Sequence, residues 1–134
     1  MTQERDLREI ERRRRPNDAL AAPDGVTAAR TDLPVPCFPV SAERLRAALR
    51  AVAEAEPRTE LLADQESPDR LVFVQRSRVL GFKDRIEAQI VALPEGHSLI
   101  LYSRALSGGW DLGVNRKRLR RWLAALERAL SPGS

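Results

Sequence analysis

The chain is short of the residues that most often do chemistry or make cross-links. Among 134 residues there is one cysteine, Cys37, and one histidine, His97. A single cysteine excludes an intrachain disulfide and implies nothing about an oxidising compartment; a lone thiol of this kind most often packs as a small apolar side chain. Cys37 and His97 cannot form a ligand cluster at zinc spacing, and carboxylates such as Asp84 and Glu87 are too few for a convincing site, so neither a metal nor a cofactor is expected. A serine or cysteine nucleophile would lack a good base, because His97 follows the turn at Gly96, where exposure is the expectation. Neither common glycine-rich phosphate loop is present. Aromatic residues make up 4% of the chain, which leaves few rings to stack on bases and argues against a nucleic-acid reader. No apolar run approaches the ~20 residues of a membrane helix. The basic N-terminus is not followed by the apolar segment of a signal peptide, so a cytoplasmic location is expected.

What is present is a soluble-protein composition with 43% hydrophobic and 31% charged residues, enough for one core in one domain. The basic residues are 21 arginines and two lysines, Lys83 and Lys117. Residues 1–34 carry seven basic and seven acidic groups, residues 35–112 ten and eleven, and residues 113–134 six and one. The net charge of +4 therefore belongs to the C-terminal segment.

Residues 1–34 read as a mobile arm: the opening helical stretch has Glu/Arg pairs such as Glu4 with Arg8 and Glu9 with Arg13, offers only Leu7 and Ile10 for burial, and meets Pro16 before a Pro-, Ala- and Asp-rich stretch. The run Arg12 to Arg15 reads as solvated charge. Order is expected over residues 35–131. A short strand at Cys37 to Val40 precedes a helix capped by Ser41, with Leu45, Leu49 and Val52 on one face and Pro57 ending it. Strand-like segments follow at about 58–66, 70–80, 84–93 and 97–106, separated by short turns that favour an antiparallel meander. Matching their apolar parities puts Leu71, Phe73, Ile86, Ala88, Ile90, Leu99 and Leu101 on one face. Val72, Val74, Arg76, Arg78, Glu87, Gln89, Tyr102 and Arg104 take the other, with Arg78 near Glu87. A last helix spans about Leu112 to Leu130. The expected fold is a two-layer α+β domain: an antiparallel four- to five-stranded sheet with two helices on one face, in the order β-α-β-β-β-β-α.

In the last helix, Leu112, Leu119, Leu123, Leu126 and Leu130 form a stripe with Trp122 at its edge. Asn115 falls on that stripe and should hydrogen-bond the sheet or a loop. Arg116 and Arg118 flank it on opposite sides, whereas Lys117, Arg120, Arg121 and Arg128 point outward. Asp111 is placed to cap the helix, and Gly113 leaves its first-turn backbone open, with Gly108 and Gly109 making the approach permissive. The functional expectation is a non-enzymatic binding module. Its ligand would be an anionic small molecule, a lipid headgroup or a protein carboxylate, held near Arg76, Arg78, Tyr102, Arg104, Gly113, Asn115 and Arg116. Asp84, Asp111 and Arg118 take structural places, and a salt bridge from Asp84 or Asp111 to Arg116 or Arg76 would instead close the site. The alternative is a scaffold that meets an acidic protein partner through the arm and the outer helix face. Acid–base chemistry with Asp84 and Tyr102 ranks lower.

Two stretches, "RSRVLGFKDRIE" and "SGGWDLGVNRKRL", together resemble the paired signatures of the family known as domain of unknown function 1499. The second matches through Asp111, Gly113, Asn115, Arg116 and Arg118, the first through Arg76, Ser77, Arg78, Gly81, Phe82 and Asp84. The resemblance covers about Cys37 to Leu126 and implies the fold, since the family has no established activity. Departures fall where the family often shows Arg-Ser-x-Ser-Arg, here Tyr102 to Leu106, and at Arg85, where a second acid is common.

Overall fold

The alternating stretch from Arg70 to Ala105 folds as an antiparallel meander in a computed structural model that describes residues 6–12, 17–78, 80–106 and 113–131. The strands and helices are β1 (Asp18–Ala22), β2 (Leu33–Pro34), α1 (Ala42–Glu54), β3 (Thr59–Leu61), β4 (Arg70–Arg76), β5 (Lys83–Leu93), β6 (Gly96–Ala105) and α2 (Val114–Leu130). They make one six-stranded sheet in the order β2-β1-β6-β5-β4-β3, parallel between β1 and β2 and antiparallel elsewhere.

The expected register holds. Leu71 pairs with Ala88 and Ala88 with Leu101, Phe73 with Ile86, and Ile90 with Leu99. Period-2 geometry puts all seven on one face, where they meet Leu45, Leu49 and Ala53 of α1 and Leu119, Trp122, Leu123, Leu126 and Leu130 of α2. Phe73 and Trp122 meet edge to face with centroids 5.7 Å apart. Ser41 caps α1 by accepting from the Arg44 N–H at 3.1 Å. The strand expected at Cys37 to Val40 is instead a single bridge, Phe38 to His97. It passes so close to the β5–β6 turn that a Cβ on Gly96 would lie 2.1 Å from the Phe38 carbonyl oxygen, so only glycine fits there.

The largest correction concerns residues 1–34, whose described part is no mobile arm. β1 pairs along β6 from Asp18 opposite Arg104 to Ala21 opposite Leu101. Ala19, Leu20, Ala21 and Ala22 are all fully buried. Ahead of β1, a 3₁₀ turn at Leu7–Glu9 lays Leu7 and Ile10 on the second sheet face, against Leu20, Ala22, Val91, Ile100 and Tyr102. The Leu7 N–H donates to Gln89 Oε1 at 2.8 Å, and Arg12 bridges Asp18 at 2.9 Å and Asp32 at 2.8 Å. Two apolar residues were too few to bury a helix, yet together with Val26 and Ala29 they pack against the apolar side chains of the second sheet face. Glu4 and Arg13 to Arg15 lie outside the described residues.

One acid fastens the helices to the sheet edge. The Glu56 carboxylate, just beyond α1, accepts from Arg121 Nε at 3.1 Å, Trp122 Nε1 at 2.8 Å and Gln75 Nε2 at 3.3 Å. Arg121, expected to point outward, is half-exposed and engaged in this contact. Burial pushes the Glu56 carboxyl up, but the hydrogen bonds from Arg121 and Trp122, the Arg121 charge and the Gln75 hydrogen bond outweigh it and hold it below the usual glutamate range. A depressed native pKa stabilises the fold fully above the unfolded value of about 4.3, and that contribution is lost as pH falls through the native value. Glu56→Gln is therefore expected to lower the urea midpoint at neutral pH, with the gap to the parent closing as pH drops into the acid range.

Candidate functional site

α2 enters the fold through a polar clamp. Gly113 holds its N-cap position with a left-handed φ of 80°. Asp111, the expected cap, lies outside the described residues with Gly108, Gly109 and Leu112. Asn115 is completely buried, as its place on the stripe requires. Its Oδ1 accepts from Ser103 Oγ at 2.6 Å and Arg118 Nη1 at 2.8 Å, and its Nδ2 donates to the Asn17 carbonyl at 3.2 Å. Arg118 Nη2 reaches Asp84 at 2.8 Å, Nη1 donates to Ser103 Oγ at 3.2 Å, and Nε donates to Gln75. A guanidinium taken out of water holds its charge only with a facing carboxylate and filled donors, and Arg118 has both.

This arrangement changes the expected roles of the two flanking arginines. The acid at Asp84 closes on Arg118 rather than on Arg116 or Arg76, and Arg116 is exposed. A signal for this lay in the sequence: Trp122 stands four residues after Arg118 and so shares its flank, and a buried indole marks which flank is covered.

The remaining expected site residues do not converge. Tyr102 is buried on the opposite sheet face, its hydroxyl donating to Asp18 Oδ2 at 2.7 Å. Arg104 is half-buried on that same face, in register between Asp18 of β1 and Arg85 of β5. Glu87 takes Arg85 as its partner at 2.9 Å; Arg78 lies in the β4–β5 turn, away from it. Only Arg76 and Arg78 come together.

They do so at an open groove of about 560 Å³ at the β3–β4 end of the sheet. Arg58, Thr59, Glu60, Val74, Arg76, Ser77 and Arg78 line it, with Leu80 and Gly81. Arg58 was not singled out by the sequence. It is the only non-glycine residue with positive φ among those described, at 54°, as the chain swings from α1 into β3. The Arg58 carbonyl accepts from the Arg76 N–H at 3.0 Å, and the Arg58 Nε donates to the Arg76 carbonyl at 3.0 Å. This reciprocal pair holds one guanidinium beside the next strand. Three guanidinium groups thus face a single lining carboxylate, Glu60, and none of the three makes an ion pair among the described residues.

The clamp between Asp84 and Arg118 ties the described parts of the two signature stretches together. The family described as "Protein of unknown function (DUF1499)" matches residues 14–126. The chain belongs to the DUF1499 family. That match begins ahead of β1, in keeping with the place of β1 inside the sheet. Among solved structures, a Mesorhizobium loti protein aligns at 13% identity with a TM-score of 0.56, covering 75% of this chain and 96% of its own. A Chromobacterium violaceum protein aligns at 11% identity and TM-score 0.52, over 86% and 96% of the two chains. An uncharacterised Rhizobium leguminosarum protein aligns at 13% identity and TM-score 0.51, over 72% and 90%. At such identities these likenesses show the fold alone. No curated protein matches the sequence. Among the described residues of this DUF1499 chain, no group of three or more His, Cys, Asp or Glu side chains could hold a metal ion, and no helix is long and apolar enough to cross a membrane.

Proposed function

We propose that this DUF1499 protein is a non-enzymatic binding module that takes a small anion, a phosphate or carboxylate group, in the groove of Arg58, Arg76 and Arg78. The observation that carries this reading is the set of three guanidinium groups around one open space, with Glu60 the only carboxylate opposing them among the described residues. Planar forks suit bidentate contact with such groups, and the hydroxyls of Thr59 and Ser77 add donors of the right kind. Compared with the sequence expectation, the ligand moves away from Asn115 and Tyr102, whose polar atoms are taken up by Ser103, Asn17, Arg118 and Asp18.

Titration with inorganic phosphate and with citrate, followed by calorimetry, tests the reading. Each charge-assisted hydrogen bond contributes about 1.5–3 kcal/mol, so Arg58→Ala or Arg76→Ala is expected to weaken binding roughly tenfold or more. Both side chains are exposed, so the urea midpoint should stay put. Arg116→Ala, outside the groove, should bind as the parent does. An absence of saturable binding by either anion at low salt contradicts the proposal.

A further inference from the structure

The described surface exposes four large apolar side chains, Leu80 at 69%, Phe82 at 55%, Val114 at 46% and Leu106 at 43%, and all four fall at one end of the sheet. Leu80 and Phe82 belong to the turn between β4 and β5, which the Ser77 N–H closes by donating to the Phe82 carbonyl at 2.8 Å. Leu106 follows β6 directly and is tied to the base of that turn, its N–H donating to the Lys83 carbonyl at 2.9 Å. Phe82, Lys83 and Leu106 line one shallow depression with Gly81. Val114 opens α2, and its neighbour Asn115 is bonded to Ser103 near the end of β6.

Cations surround these side chains. Arg76, Arg78 and Lys83 flank the turn, and Arg116 and Lys117 follow Val114; none of the five makes an ion pair among the described residues. Asp84, the acid nearest the turn in sequence, is engaged by Arg118. Apolar side chains gathered at one end are uncommon on a soluble domain unless something covers them. Leu80 and Phe82 stand on the β4–β5 turn with Leu106 beside its base, and the depression that Phe82 and Leu106 share with Gly81 and Lys83 is shallow, so a deep-fitting peptide has no slot between them.

We propose that this end of the molecule docks on an anionic lipid bilayer, with Phe82, Leu80 and Leu106 entering the headgroup boundary and Arg78, Lys83 and Arg116 meeting the lipid phosphates. An apolar tip with a cationic collar combines the two contributions that peripheral attachment requires, buried apolar area and attraction to negative surface charge. The inference goes beyond the anion groove and is separable from it, because Phe82 and Leu106 do not line that groove.

The test is co-sedimentation of the full chain with phosphatidylcholine vesicles, neutral or containing about one third phosphatidylglycerol. The parent is expected to partition roughly tenfold more strongly onto the anionic vesicles, and to come off as salt rises from about 0.1 to about 0.5 M. Phe82→Ser/Leu106→Ser, at unchanged net charge, should lose about tenfold in partitioning with the phosphate titration unaltered. Phe82→Ser alone serves as the second variant should the double one unfold, and Lys83→Glu/Arg116→Glu, both outside the groove, should abolish the preference for anionic vesicles. Equal partitioning onto both vesicles overturns the proposal. So does parent-level binding by the serine variants, or capture of soluble polyglutamate without vesicle binding, which would assign the surface to an acidic protein.

Discussion

Replacing Arg118 by alanine is expected to cost about 3–5 kcal/mol of folding stability, read as a fall in the urea midpoint. A small domain holds only about 5–15 kcal/mol in total, so the variant should sit near the edge of folding. The size follows from what is left behind. The guanidinium facing the largely buried Asp84 carboxylate is removed, and Gln75, Asn115 and Ser103 each lose a donor inside the protein. Lysine should restore only part of the loss, since a single ammonium can face Asp84 but cannot also span Gln75 and Asn115 as a planar fork does. Asp84→Ala and Arg118→Ala together should cost less than the sum of the two, because removing either one alone strands the other's charge. A midpoint unchanged in Arg118→Ala would mean that α2 is held by its apolar stripe alone.

Deleting residues 1–22 is expected to abolish cooperative unfolding altogether, seen as loss of both the thermal transition and the near-ultraviolet dichroism. The deletion takes out β1 from between β2 and β6, uncovers the Tyr102 and Ile100 face, and removes Asn17, whose carbonyl accepts from the buried Asn115 amide. Leu7→Ala gives a milder version, at about 2–5 kcal/mol for a large-to-small change at a fully buried position. A truncated chain that unfolded with the parent's midpoint would restore the mobile-arm reading.

These two expectations also mark where the sequence was and was not legible. Alternation from Leu71 to Leu101 was sufficient to place both sheet faces, because a one-residue slip would have set Arg76 and Glu87 against the leucines of α1 and α2 and taken Phe73 out of that core. Asn115 was recognisable as a buried amide because it interrupts a leucine stripe at helical spacing. β1 was not recognisable, since Ala19, Leu20, Ala21 and Ala22 have neither β-branched residues nor alternation. Its strand character comes from β6 on one side and from Leu7 and Ile10 on the other, contacts distant in sequence. The exchange of Arg116 and Arg118 has a similar cause. Both flank the stripe, and which flank is covered depends on where α2 lies over the sheet, a tertiary property at which only Trp122, on the flank of Arg118, hints in the sequence. Arg58 was hidden more deeply, because its position beside Arg76 exists only once β3 has paired with β4.

The arginines divide into an inner set that closes the fold and an outer set that faces open space. Amide and arginine Nε–H chemical shifts, followed by nuclear magnetic resonance during a titration with inorganic phosphate, test that division most directly. The predicted result is saturable movement at Arg58, Thr59, Arg76, Ser77, Arg78 and Gly81, with Ser103, Asn115 and Arg118 unmoved. Shifts centred on Asn115, Ser103 and Arg118 would contradict it, by showing that the inner set opens to an anion.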